Sequence, residues 1–72
     1  MSAARPTASA AGEVYEVFAK IKPEDPLHHV GNVIAPDARL AQVYAFTTYQ
    51  EWAWAEMMIA PRSAIVPVIE VL

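Results

Sequence analysis

The hydrophobic period of this chain changes at Pro36-Asp37, and that change limits the folds open to it. Before this point apolar residues alternate with polar ones. After it they recur every three or four residues, the spacing of one helix face. Residues 13–22 (EVYEVFAKIK) read as a strand with Tyr15, Val17, Ala19 and Ile21 on one face and Glu16, Phe18, Lys20 and Lys22 on the other. Pro23-Glu24-Asp25-Pro26 is a turn, and residues 27–35 (LHHVGNVIA) form a second strand antiparallel to the first. Gly31 interrupts that strand, which predicts a bulge or a close approach by another backbone.

The helix is expected to run from Pro36 to about Trp52, with Pro36 in its first turn and Asp37 complementing the N-terminal dipole. Residues 55–60 (AEMMIA) read as a third strand, broken by Pro61-Arg62-Ser63. Residues 64–72 are apolar but contain Pro67, which makes them an edge strand or an extended arm. The expected fold is α+β: a small β-β-α-β domain with a three-stranded antiparallel sheet, one helix packed on it and an extended C-terminal arm. Residues 1–12 are small and aperiodic and read as a disordered tail, leaving 13–72 as the single domain.

On the helix, Ala38, Ala41, Ala45 and Tyr49 share one face, small enough to let it lie close on the sheet. Leu40, Val43, Tyr44 and Thr47 form a second face, and Phe46 points in a third direction. A helix apolar nearly all round is buried nearly all round, yet a three-stranded sheet covers only one side of it. Composition sharpens the point. The chain is 56% hydrophobic and 18% charged over 72 residues, and a domain of about 60 residues buries only about 60% of the surface its unfolded chain exposes. The excess apolar surface requires another chain.

The chemistry-bearing residues are few. His28-His29 is the one pair that suggests a metal, but neighbours on a strand point to opposite faces and no cysteine completes a set. Packing at one histidine and an interface at the other is the simpler reading. Glu51 and Glu56 flank Trp52 and Trp54 without any nucleophile or glycine-rich loop nearby, so solvated acids at a helix end account for them. A net charge of −3 with scattered Lys and Arg argues against nucleic acid. No run approaches the ~20 apolar residues of a membrane span, and no apolar segment follows Arg5 as a leader would require, so a cytoplasmic location is expected.

Tyr15-Glu16-Val17-Phe18, His29-Val30-Gly31-Asn32 and the run Ala35 to Ala41 (APDARLA), with Ala45 and Tyr49 at later helical steps, resemble the PaaB family. Looser similarity continues through Met58-Ile59-Ala60 to Ser63-Ala64-Ile65. PaaB proteins are the small non-catalytic B subunit of the phenylacetyl-CoA epoxidase. The resemblance implies an accessory subunit that bridges catalytic units and helps a reductase dock. It implies no cofactor in this chain: the diiron centre belongs to an A-type subunit, and flavin and iron–sulfur groups to the reductase, with a structural C-type subunit also in the complex. Val43, Tyr44 and Phe46 stand where the family pattern is commonly polar, and together with Trp52 and Trp54 they are the expected interface residues. Self-association is expected as well. The competing expectation is a homodimeric α+β ligand binder or cofactor-free enzyme, in which His28 or His29 would meet an aromatic compound together with Tyr15 and Tyr44.

Overall fold

A computed structural model describes residues 12–69. The expected tail, apart from Gly12, and the last three residues of the expected arm lie outside the described residues. The elements run β1 (Glu13–Lys20), β2 (His28–Ala35), α1 (Ala38–Thr48), β3 (Glu56–Pro61) and a 3₁₀ turn (Arg62–Ala64). Sheet order is β2-β1-β3 with both pairings antiparallel, and α1 lies across one face. The β-β-α-β architecture read from the sequence is the one observed.

Local chemistry sets the boundaries. Strand β1 stops at Lys20, two residues before the alternation does, so Ile21 leaves the sheet and is exposed. The helix is shorter than expected at both ends. Asp37 is its N-cap rather than a first-turn residue: the backbone there is extended, and its Oδ1 accepts the Leu40 N–H at 2.9 Å. Satisfying that orphan donor contributes about 1 kcal/mol. Pro36 therefore precedes the helix. At the other end Tyr49 departs from helical geometry, and Trp52 and Trp54 fall in the connection to β3. Pro61 closes β3 opposite Tyr15 instead of breaking the strand early. An edge strand tolerates it, because its outer side has no ladder partner for the missing N–H. Beyond the 3₁₀ turn, residues 65–69 form no strand within the sheet.

The core is thin. Tyr15, Val17, Ala19, Val33, Ala35, Ala41 and Ala45 are its buried apolar residues, and Val17 is the largest side chain that is fully enclosed. Four of those seven are alanine, so helix and sheet approach closely and little side-chain volume lies between them. Val30, Tyr49, Met57 and Ile59 pack at its margin. Ala38, which shares the helical spacing of Ala41 and Ala45, is exposed at the first turn.

Gly31 sits where the register shifts between Val17 and Phe18: Val17 faces Gly31, Phe18 faces His29, and Val30 is the extra residue. This is the expected bulge. The close approach is made by a side chain rather than a backbone. A β-carbon on Gly31 would lie 1.9 Å from the Tyr49 hydroxyl oxygen, so the phenol occupies the space a side chain would take.

Candidate functional site

The two sides of the sheet differ in kind. The inner side carries Tyr15, Val17 and Ala19 under the helix. The outer side, where among the described residues no helix or strand is laid across it and the 3₁₀ turn reaches in through Arg62, presents rows read directly from the register: Asn32, Glu16 and Ala60; His29, Phe18 and Met58; then Lys20 beside Glu56.

Glu16 is the one buried charged residue in the described part of the chain, at 7% exposure in the middle of the central strand. Each of its oxygens is engaged. His29 Nε2 lies 2.7 Å from Oε1, and Arg62 Nε donates to Oε2 at 2.5 Å. The His29 ring leans on Phe18 with centroids 5.4 Å apart. Burial pushes the Glu16 carboxyl upward, but the hydrogen bonds from Arg62 and His29 and the charges behind them outweigh it, and the group titrates below its ordinary value. The cluster therefore clamps the 3₁₀ turn, through Arg62, onto the two longer strands. Lys20 and Glu56 pair at 3.3 Å on the same side.

A carboxyl whose folded value is depressed adds stability above its unfolded value, about 4.3 for Glu, and that stability is lost as pH falls through the lower folded value. Arg62→Ala is expected to move the Glu16 midpoint upward, read from the side-chain carboxyl resonance in an NMR titration. The variant's urea midpoint should then depend less on pH in the acid range than that of the native chain. An unchanged Glu16 midpoint would show that Arg62 does not hold this carboxylate.

On the far side of the domain lies the second feature. Leu40, Val43, Tyr44 and Phe46 are exposed along α1, as is Trp52 in the following connection. Phe46 is 69% exposed. Phe46, Gln50, Trp52, Trp54, Ala55, Glu56 and Met57 line an open groove of about 450 Å³. Trp54 differs from the other expected interface residues: it is half-buried, and its indole N–H donates to the Tyr49 carbonyl at the helix end. It caps a carbonyl that the helix leaves without a partner.

No protein-family model matches the chain, and no curated protein or solved structure matches it. The resemblance to the PaaB family rests on the motif residues alone. Those residues now have places. Tyr15 to Phe18 form the middle of β1, His29 to Asn32 form the bulge, and Asp37 is the helix cap.

The two histidines face opposite sides, His28 opposite Ala19 and His29 opposite Phe18. Within one copy, the residues of the competing expectation lie apart: Tyr15 is buried beneath the helix, Tyr44 is exposed on the helix, and His29 is on the outer sheet face. Among the described residues no group of three or more His, Cys, Asp or Glu converges as a metal site, and no helix is long and apolar enough to cross a membrane. The Glu16–His29–Arg62 cluster was not singled out from sequence. Its available signal was an acid at an alternating position inside an apolar strand.

Proposed function

We propose that this chain is a non-catalytic accessory and assembly subunit of a multicomponent oxygenase resembling the phenylacetyl-CoA epoxidase, bridging catalytic subunits and aiding reductase docking in aromatic-compound degradation. One observation carries the docking role: among the described residues thirteen large apolar side chains are exposed, against seven buried apolar residues of which four are alanine. The domain holds more of its large apolar side chains outward than inward, the reverse of a self-sufficient small protein. Apolar side chains are exposed on both sides of the domain, and those along α1 are the ones this reading assigns to the oxygenase subunits. The oxygenase assignment is supported by the motif residues of β1, the bulge and the helix cap. On this reading the partners are a diiron A-type subunit, a structural C-type subunit and a reductase, and the redox cofactors reside in them.

Tyr44 and Phe46 are the proposed anchors. Each contributes roughly 1.5–3 kcal/mol when buried and nothing in water. Tyr44→Ser with Phe46→Ser is expected to keep native far-UV circular dichroism and to weaken co-purification with the oxygenase subunits by at least about tenfold, equivalent to about 1.4 kcal/mol. Undiminished recovery of the complex would remove α1 from the interface.

A second reading, an aromatic-ligand binder, draws on the groove lined by Phe46, Trp52 and Trp54. It requires saturable quenching of tryptophan fluorescence by an aromatic compound in the isolated chain.

A further inference from the structure

Three features outside the helix face remain unexplained: the open outer side of the sheet, the exposed His29 and Arg62 side chains that clasp Glu16, and the apolar run after the 3₁₀ turn. We infer that they belong together. The structure points to a two-fold dimer in which the segment from Ile65 onward of each copy lies across the outer sheet face of the other. The inference is independent of the oxygenase reading and concerns a different surface from α1.

The occupant follows from what the face presents and what the segment carries. The face offers an apolar field, with Phe18 half-buried and Ile34 and Met58 exposed, around the side chains of His29 and Arg62. Among the described residues Arg62 gives only its Nε, to Glu16, so the paired terminal nitrogens of its guanidinium form a fork suited to a second carboxylate. Lys20 and Glu56 neutralise each other, and Glu16 is neutralised within its own cluster. Two copies of this face therefore meet without like-charge repulsion. The segment is the chemical counterpart. Val66, Val68 and Ile69 are 79%, 95% and 88% exposed, so they cover nothing on their own copy. Residues 65–72 contain one charged side chain, the carboxylate of Glu70.

Area decides that the segment must take part. Three strands spaced about 4.8 Å apart and about eight residues long cover on the order of 400 Å². A stable interface needs about 800 Å² from each partner. The sheet face alone is too small, and the segment supplies further apolar surface, counted twice under a two-fold axis. Reach is adequate. The segment starts from the turn that Arg62 ties to the centre of the face, an extended layer packed on a sheet lies ~10 Å from it, and six extended residues span about 20 Å.

The experiment uses the full chain. Sedimentation equilibrium is expected to show a dimer, and Val68→Asp with Ile69→Asp should raise its dissociation constant at least tenfold with unchanged circular dichroism, since neither side chain packs on its own copy. Glu70→Arg should weaken the dimer as strongly. The chain has no cysteine, so Met58→Cys with Val68→Cys gives a clean geometric test: oxidation should yield a disulfide between copies, seen as a dimer band without reductant. A chain monomeric at every concentration, a dimer indifferent to either segment variant, or a disulfide formed only within one copy would each overturn the inference. The Tyr44→Ser with Phe46→Ser variant should dimerise normally, so failure here and failure of the oxygenase reading remain distinguishable.

Discussion

Ala41→Leu is expected to be among the most damaging single substitutions in this domain. Ala41 is fully buried where α1 meets the sheet, beside Ala45, which is 1% exposed. With alanine on the helix side and Ala35 and Val17 among the residues beneath it, a leucine has no void to enter. The helix must lift or the side chain must leave its preferred rotamer. Overpacking of this kind costs about 1–3 kcal/mol, a large fraction of the stability of so small a body. Urea unfolding followed by circular dichroism should show a lower midpoint with reduced cooperativity. If Ala41→Leu instead leaves the midpoint intact and only loosens assembly, the helix turns a different face to the sheet.

Gly31→Ala is expected to act through Tyr49. The new β-carbon would lie 1.9 Å from the phenol oxygen and 2.9 Å from the ring carbon bearing it, so the tyrosine must swing away. Displacing it removes the aromatic ring that closes the margin of the core and disturbs the last turn of α1, where the Tyr49 carbonyl also receives the Trp54 indole. The backbone at Gly31, at φ 157°, adds strain for any residue with a side chain. A loss of about 1–3 kcal/mol is expected, as for other overpacked sites. Combining Gly31→Ala with Tyr49→Ala should cost less than the sum of the two single changes, because the second removes the atoms the first collides with. Strict additivity in that double-mutant cycle would disprove the contact.

The fold was legible wherever local pattern decides structure. The alternation of Tyr15, Val17 and Ala19 located β1 and its buried face, Gly31 located the bulge, and the spacing of Ala41 and Ala45 located the inner face of α1. The helix ends were not legible in the same way. Asp37 has two uses at a helix start, as a charge near the dipole or as a cap that starts the helix at Ala38 rather than Pro36, and only the backbone distinguishes them. Apolar residues continue past Thr48 to Trp54, so periodicity gives no stop signal, and the indole of Trp54 turns back to the helix end instead of extending it. The Glu16 cluster was hidden for another reason. Its members are 13 and 46 positions apart, and they meet only through the strand register and the turn after β3. Sequence periodicity reports which face a residue occupies, not what crosses that face from elsewhere in the chain.

Under the proposed assembly role, a core floored by alanines also bears on how a cell would keep this chain in proportion to its partners. With Val17 as the largest side chain fully enclosed, a lone copy has little to hold it shut. Its open form is the species that proteases degrade, in proportion to its equilibrium population. Binding draws that population down by mass action. In the proposed complex, copies made in excess of their partners would then be removed faster than assembled ones, and the ratio of subunits would correct itself without a dedicated regulator.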